Sequence, residues 1–321
     1  MNIVVASDDN FVQHCGTMLV SLLENNKENK IAVYLLSEGL SDENNEMLED
    51  IVLTRGGDYN YILVDSELLV NLPMPDFSEL SHISIATYYR LLIPNLLPTA
   101  VSKVIYLDCD IIIRKSIQDL WDTNIDNYAV GAIYQMTEST QEDTHRLNIP
   151  FSCGYFNAGV LLVNVEYWKE HNISIELMGF IRSHVDTIKY HDQDALNAVL
   201  HDKCLMLPCK WNMLTVFFRK NIFKVDDYNN GVIVNSYNDY KNELKDVAFD
   251  PSIVHYVSRP KPWEKKCTHP FRSEYYKYLK LTPWGKFTEP SHFISSAYRF
   301  IRKVVLILTM KRDRDFISVR K

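Results

Sequence analysis

The chain has 321 residues, of which 46% are apolar and 23% are charged, and its net charge is −7. This composition supplies a sizeable core and excludes a disordered chain, a collagen-like repeat and a disulfide-rich miniprotein. An acidic chain is also a poor candidate for coating nucleic acid, because phosphate contacts need Lys and Arg, so we expect no nucleic-acid partner.

The first half of the chain alternates strand and helix patterns. Apolar runs predict strands at residues 3–6, 31–36, 61–64, 104–107 and 129–133. Between them lie three helical patterns: one with Met18 and Leu22 on its apolar face, one capped by Ser41, and one over residues 84–92. This rhythm predicts an α/β fold in which a mixed, mostly parallel sheet has helices on both faces. Ligands of such sheets bind beyond the carboxyl ends of the strands, so the polar residues after the first and fourth strands are the first candidates for a site.

The second half is less regular, with strand patterns at 160–165 and 253–257 and a helix pattern at 192–200. No linker rich in Pro, Gly or Ser divides the chain. None of the six cysteines forms a CxxC pair, and the sequence starts on a strand pattern with no signal-peptide pattern before it. We therefore expect reduced thiols in a cytoplasmic protein.

The strongest local feature is the pair Asp108 and Asp110, directly after an apolar strand. Residues two apart in an extended chain project to the same side, so both carboxylates can reach one cation. Hard oxygen ligands suit Mg²⁺ or Mn²⁺. The alternative is a polar loop in which one Asp caps a helix. A haloacid-dehalogenase-type phosphatase is disfavoured, because there the pair lies early in the chain.

Six short motifs occur in a fixed order along the chain. They are 5–10, 87–91, 106–110, 155–160, 191–197 and 255–263. This series, over about residues 1–265, resembles glycosyltransferase family 8, and within it the bacterial lipopolysaccharide and lipooligosaccharide galactosyl- and glucosyltransferases. Six motifs in register are far more specific than any single one. The resemblance implies a Rossmann-like GT-A fold, a UDP-galactose or UDP-glucose donor, a divalent metal and retention of anomeric configuration.

The resemblance also implies a metal and diphosphate site. Asp108, Asp110 and His255 would ligate Mn²⁺ or Mg²⁺, and Lys261 would bind the diphosphate. A core histidine and a solvated surface lysine are the alternatives for the last two. Ser258 stands where the family has a glycine whose backbone approaches the diphosphate, and a positive φ there would cost serine energy.

For the rest of the donor, the resemblance implies that Arg90 contacts phosphate or sugar and that Ala6, Asp8 and Asn10 hold the uridine. The residues around the transferred sugar would be Asn157, Ala158, Asp192 and Gln193. The alternatives are an N-cap for Asp8, a tight turn over 157–159, and a favourable helix-dipole interaction for Asp192.

Two routes to retention stay open. Double displacement needs a carboxylate nucleophile, for which Asp192 is the candidate. In the same-face route the acceptor enters on the face that the diphosphate leaves, with the leaving phosphate as base. We expect Gln193 nearest the anomeric carbon, and because an amide is a poor nucleophile the same-face route is our hypothesis. Gln135 stands where the family's galactosyltransferases have an Asp that faces sugar or acceptor, so the acceptor and the choice between galactose and glucose stay open.

The C-terminal residues differ in charge from the body, since 299–321 hold eight basic and two acidic side chains. Apolar residues at helical spacing over 293–308 predict an amphipathic helix. We expect residues 293–321 to make peripheral contact with the anionic inner face of the cytoplasmic membrane, the alternative being a helix packed on the domain. The chain then divides into a GT-A domain, 1–265, and a basic helical segment, 266–321.

These patterns predict a retaining, metal-dependent hexosyltransferase. It would move galactose or glucose from UDP to a saccharide acceptor of a cell-surface glycan such as lipopolysaccharide, which a lipid can carry. The alternatives are a glucosyltransferase acting on a protein-linked glycan and a catalytically silent UDP-sugar-binding protein. A Rossmann dehydrogenase is disfavoured, since no GxGxxG follows the first strand.

Overall fold

A computed structural model describes residues 1–69, 72, 85–135, 140–218, 243–244 and 247–286, and every structural statement below concerns these. The expected membrane segment, 293–321, lies outside them. The strands are β1 (Asn2–Ala6), β2 (Ala32–Ser37), β3 (Asp58–Leu63), β4 (Lys103–Leu107), β5 (Ile111–Ile113), β6 (Val130–Tyr134), β7 (Phe156–Asn164), β8 (Cys204–Met206), β9 (Met213–Leu214) and β10 (Ile253–His255). The α-helices are α1 (Val12–Glu24), α2 (Asp42–Leu53), α3 (Ile93–Leu96), α4 (Gln118–Trp121), α5 (Thr140–Arg146), α6 (Val165–Glu170), α7 (Ile173–Ser183), α8 (His191–Leu200) and α9 (Arg272–Leu279). Short 3-10 helices cover Ser66–Leu69, Ile85–Leu92, Phe151–Cys153, Cys209–Trp211 and Thr215–Phe218.

The main sheet has the order β3-β2-β1-β4-β7-β6-β8. All its neighbours pair in parallel except β7, which is antiparallel to both β4 and β6. The predicted mixed, mostly parallel sheet is therefore confirmed. The carboxyl ends of β1 and β4 meet at one edge, which places Ala6 and Asp108 near each other.

Both faces of the sheet are covered, as predicted. Side chains of a strand alternate between faces, so Ile3 and Val5 pack with α1, α2 and α9 on one side. Val4 packs with α7, α8 and the 3-10 helix Ile85–Leu92 on the other. Because each central strand is buried on both faces, it reads as a continuous apolar run in the sequence.

A second sheet, β5-β10-β9, carries the third candidate ligand to the aspartate pair. In β10, which runs antiparallel to β5, His255 pairs with Ile111, and Tyr256 N–H donates to the Asp110 carbonyl (3.0 Å). The strand β9 pairs in parallel with β10, with Leu214 opposite His255. His255 is thus held beside the loop that follows β4.

Several element boundaries differ from the predictions. Residues 85–92 form a 3-10 helix, and a separate helix, α3, follows at once with Pro94 in its first turn. Proline is tolerated there because its missing N–H would have no intrahelical partner. The strand predicted at 160–165 starts at Phe156. Ser41 occupies the N-cap of α2, but its hydroxyl donates to Asp9 (3.3 Å) instead of capping the helix.

Part of the predicted C-terminal segment packs on the body. In α9, the Tyr275 hydroxyl bonds His14 Nδ1 (2.7 Å) and the Tyr278 hydroxyl accepts from Asn25 (2.7 Å), and both helix α9 and helix α1 contribute to one core cluster. Among the described residues, no helix has the length and apolar character needed to cross a membrane.

Candidate active site

A cleft of ≈ 560 Å³ opens at the carboxyl edge of β1 and β4. Its lining contains twelve of the thirteen residues predicted from the sequence: Ala6, Asp8, Arg90, Asp108, Asp110, Asn157, Ala158, Asp192, Gln193, His255, Ser258 and Lys261. The thirteenth, Asn10, is exposed and is not part of the lining. Residues that are far apart in the chain therefore form one site.

Three of these residues present metal-ligating atoms to a common point. The ligand atoms of Asp108, Asp110 and His255 all lie within 4.8 Å of one another. His255 Nε2 is 3.1 Å from Asp110 Oδ1 and 3.8 Å from Asp108 Oδ2. Adjacent ligands at about 2.1 Å from an octahedral ion lie about 3 Å apart, so the donor set and its spacing fit Mg²⁺ or Mn²⁺.

Gly159 makes this convergence sterically feasible. It lies in β7, and its carbonyl accepts from Asp108 N–H (2.9 Å), which places its Cα directly against the cluster. A Cβ at Gly159 would overlap the His255 imidazole and lie 2.7 Å from Asp108 Oδ2. Residues 157–159 all belong to strand β7, so the tight-turn alternative for them is wrong.

Each aspartate of the pair has one oxygen bound to a cationic side chain. Arg90 Nη2 contacts Asp108 Oδ1 (2.9 Å), and Lys261 Nζ contacts Asp110 Oδ2 (2.5 Å). Burial alone would raise the pKa of Asp110, but Lys261 and His255 outweigh it and hold that pKa well below its usual range. The Asp110 carboxylate is thus ionised, and Lys261 is a buried ion-pair partner rather than a solvated surface cation.

Arg90 joins the aspartate pair to helix α8. Its Nε lies 3.0 Å from Asp192 Oδ2, its Nη1 donates to the Ala158 carbonyl (2.6 Å), and its guanidinium lies over the Tyr106 ring. Burial alone would lower the pKa of Arg90, but the carboxylates of Asp108 and Asp192 raise it by more than burial lowers it, so the side chain stays charged. All three guanidinium nitrogens are bound by protein groups, and the predicted contact of Arg90 with the donor stays a prediction.

Asp192 and Gln193 lie in the first turn of α8 and face the same cleft. Asp192 accepts from the Thr87 hydroxyl and pairs with Arg90. Burial raises the pKa of Asp192, with Arg90 opposing it. Gln193 Oε1 accepts from Ala158 N–H (3.1 Å) and from Asn157 Nδ2 (3.0 Å). The side chains of Asp192 and Gln193 are therefore both fixed by protein partners, Gln193 directly at the Ala158 backbone and Asp192 through Arg90.

The predicted uridine residues lie around the end of β1. Asp8 lines the cleft, and its Oδ1 accepts from the backbone N–H of Asn10 (2.9 Å) and Phe11 (3.1 Å) in the turn before α1. The N-cap of α1 is Phe11, so the N-cap alternative for Asp8 is wrong. The Ala6 carbonyl accepts from the Cys109 thiol (3.2 Å). Their contacts with a nucleotide stay predictions.

Ser258 has the conformation that favours glycine, with φ = 67°. The sequence comparison with the family pattern located this position, and the positive φ explains why glycine suits it. Asn212, in contrast, was not predicted. It is buried, bonds both His255 and Asn157, and belongs to no motif, because its place at the site depends on the pairing of β9 with β10.

Comparison with known proteins identifies the family. The model of glycosyl transferase family 8 matches residues 2–267. This chain belongs to that family. General stress protein A of Bacillus subtilis (strain 168) is 32% identical over 295 residues, which are 91% of this chain and 97% of that protein. The lipopolysaccharide 1,3-galactosyltransferase of Salmonella typhimurium is 27% identical over 294 residues, 88% of this chain and 79% of that enzyme.

The fold of this family-8 glycosyltransferase matches solved relatives. The galactosyltransferase LgtC, crystallised with donor and acceptor sugar analogues, superimposes with a TM-score of 0.77 at 24% identity, over 93% of this chain and 100% of that one. The GT-A fold implied by the sequence motifs is confirmed, and glycosyl transfer is the activity of the family. An Asp-x-Asp pair with a third candidate ligand, His255, lies in the cleft.

Proposed function

We propose that this glycosyltransferase moves galactose or glucose from a UDP-sugar to a saccharide acceptor of a cell-surface glycan, with a divalent metal and with retention. The observation that carries the proposal is the convergence of Asp108, Asp110 and His255 on one point of the cleft. Two carboxylates this close repel each other unless positive charge lies between them. In this proposal the sugar donor carries a nucleoside diphosphate, and a cation at that point would offset the negative charge of the diphosphate.

The chain's own cations complete the site for the leaving diphosphate. Bound at Asp108, Asp110 and His255, Mn²⁺ or Mg²⁺ supplies electrophilic assistance to the departing phosphate. Lys261 is already in the cleft as a charged, buried group at the aspartate pair. We propose that its ammonium binds the diphosphate and stabilises the charge that develops as the glycosidic bond breaks.

The contacts of Gln193 and Asp192 favour the same-face route to retention. The Gln193 carbonyl oxygen already accepts two hydrogen bonds, and the two oxygens of Asp192 bind Thr87 and Arg90. Both lone pairs of the Gln193 oxygen are held by protein donors, and each Asp192 oxygen is bound to one protein donor, which makes either group a weaker nucleophile toward the anomeric carbon. We infer that Gln193 orients the sugar while the leaving phosphate takes the acceptor proton. A trapped glycosyl adduct on Asp192 would contradict this.

The acceptor and the membrane contact are the finer part of the proposal. The name of the Salmonella relative specifies lipopolysaccharide, whereas that of the Bacillus relative specifies no acceptor. We propose a lipopolysaccharide core or another cell-surface saccharide, approached from the cytoplasmic side. Residues 1–265 would form the catalytic domain, and the basic residues 293–321 would hold it at an anionic membrane surface.

The test is release of UDP from UDP-galactose and UDP-glucose, each with Mn²⁺ and with chelator. We expect metal-dependent release for the wild type, loss of release for Asp110→Ala, and wild-type release for Asp126→Ala, a matched change of an exposed carboxylate. Tight UDP binding with no release of either sugar would favour the silent binding protein. Equal UDP release with metal and with chelator would contradict the proposed metal-binding role of Asp108, Asp110 and His255.

A further inference from the structure

Asn212 is a buried amide at the boundary between the metal ligands and the sugar-facing residues. It precedes β9 and is fully buried. Its Oδ1 lies 2.9 Å from His255 Nδ1, and its Nδ2 lies 2.9 Å from Asn157 Oδ1. No motif in the sequence includes it.

One backbone N–H fixes the direction of every hydrogen bond in this group. Gly159 N–H points at a side-chain atom of Asn157 at 3.0 Å, and a backbone N–H can only donate. That atom of Asn157 is therefore the amide oxygen, and Asn212 must offer its NH₂ to it. The Asn212 oxygen then faces His255, so the proton of that hydrogen bond has to reside on His255 Nδ1.

The consequence for His255 is that Nε2 is the nitrogen available to a cation. With the proton held on Nδ1 by Asn212, Nε2 is the ring atom left to ligate, and it faces Asp110 Oδ1 (3.1 Å) and Asp108 Oδ2 (3.8 Å). This is the form in which imidazole ligates a cation. The other neutral tautomer would donate its Nε2–H to Asp110 and so remove both a nitrogen and an oxygen ligand from the centre.

We propose that Asn212 is a positioning residue of the metal centre, which selects the ligating tautomer of His255 and fixes the ring between the two aspartates. The proposal rests on the metal-dependent function above. Partners that bind the second nitrogen of a ligating histidine raise its basicity and orient its ring, and their removal typically weakens metal binding about 10–100-fold.

Substitution of Asn212 separates positioning from folding. Asn212→Ala removes the acceptor for Nδ1–H, whereas Asn212→Asp keeps an oxygen there but places its second oxygen, in place of the donor, against the Asn157 oxygen. The matched control is Asn26→Ala: Asn26 is also buried and also has one donated bond, to Leu22 O, and one accepted bond, from Ile117 N.

The experiment measures the dissociation constant of Mn²⁺ from the intact chain, by the electron paramagnetic resonance of free Mn²⁺. We expect Asn212→Ala to weaken binding about 10–100-fold, and Asn212→Asp and Asn26→Ala to bind within about 3-fold of wild type. Wild-type affinity in a folded Asn212→Ala would overturn the proposal. If Asp110→Ala also bound as tightly as wild type, the proposed function would fail instead.

A second measurement needs no change at Asn212. Nitrogen-15 spectra of the histidine rings of the Mg²⁺-loaded wild type show which ring nitrogen carries the proton, and loss of one signal in His255→Gln assigns it. We expect the proton of His255 on Nδ1 and the cation on Nε2. A proton on Nε2 would overturn the proposal even if Asn212→Ala failed to fold.

Discussion

Replacing Gly159 by alanine should abolish metal binding while the fold persists. A Cβ built on Gly159 overlaps the His255 ring and lies 2.7 Å from Asp108 Oδ2 and 2.8 Å from His255 Nδ1. Ordinary van der Waals contact needs 3.4 Å or more, so the carboxylate must move by about 0.7 Å and the ring by more. Ligand positions in metal sites are held to about 0.2 Å, so a shift of this size removes ligands from the coordination sphere.

The expected magnitude follows from the number of ligands displaced. A disturbed supporting contact typically weakens metal binding about 10–100-fold, and here two of the three ligands are pushed directly. We therefore expect at least a 100-fold rise in the Mn²⁺ dissociation constant, which is about 2.8 kcal/mol. Overpacking should cost about 1–3 kcal/mol of folding stability, which is compatible with a folded chain.

The assay is Mn²⁺ binding together with UDP release, after thermal denaturation has shown that the variant is folded. Gly131→Ala is the matched control, because Gly131 is also a strand glycine of the main sheet, and the nearest atoms to its Cβ would be those of the Leu207 side chain (3.2 Å). It should lose stability but keep Mn²⁺ affinity. A folded Gly159→Ala that binds Mn²⁺ as the wild type does would refute the steric argument.

Three further predictions concern Ser258, Asp194 and Lys261. Ser258→Gly should raise the free energy of unfolding by about 1 kcal/mol, because φ is 67° at this residue, and thermal denaturation measures the gain. Asp194→Asn should cost about 3 kcal/mol at pH 7, because the buried carboxylate pairs with Arg146 (2.8 Å) and accepts two backbone N–H bonds. Burial would raise the pKa of Asp194, but these donors lower it. The ionised carboxylate therefore adds to the free energy of unfolding above about pH 4, and this contribution is lost as pH falls through the folded pKa. Urea unfolding at pH 7 and at pH 3 should show that the difference in unfolding free energy between wild type and Asp194→Asn becomes smaller in acid. Lys261→Met should slow UDP release about 100-fold without weakening Mn²⁺ binding, since Lys261 competes with a cation for Asp110.

Each of these has an outcome that contradicts it. Ser258→Ala retains the Cβ and should show no gain in stability, so an equal gain in both variants would exclude relief of backbone strain. A gap between wild type and Asp194→Asn that widens in acid would mean that the Asp194 pKa is raised on folding. Weaker Mn²⁺ binding by Lys261→Met would mean that Lys261 supports the metal ligands rather than competing with a cation.

The sequence alone could predict what depends on local pattern. The apolar run 104–107 and the carboxylates after it predicted β4 and its aspartate pair, because strand periodicity and residue type are both local signals. The same logic predicted β1, β2 and the helix at 191–200 within a few residues. The resemblance to the family added His255 and Lys261, which no local pattern connects to Asp108.

What the sequence could not predict depends on which strands pair. β7 is antiparallel between parallel neighbours, and this brings Gly159 beneath Asp108 although 51 positions separate them in the sequence. Asn212 lies at His255 only because the two-residue strand β9 joins β10, and a strand that short has no detectable period. A polar residue between Trp211 and Met213 reads as an ordinary loop residue until that pairing is known.

The arrangement of charge explains how two adjacent, partly buried carboxylates are stable in the fold and would still be open to a cation. In both aspartates one oxygen is held by a cation of the chain: Asp108 Oδ1 by Arg90, and Asp110 Oδ2 by Lys261. Their other oxygens, Asp108 Oδ2 and Asp110 Oδ1, both face His255 Nε2. The two ion pairs offset the repulsion between the carboxylates that burial would otherwise make costly. Because Arg90 binds Asp192 as well, the geometry of the aspartate pair and that of the start of helix α8 depend on a single guanidinium. The same two ion pairs therefore hold the aspartate pair together when no ligand is bound, and a cation at this point would compete with Lys261 for Asp110.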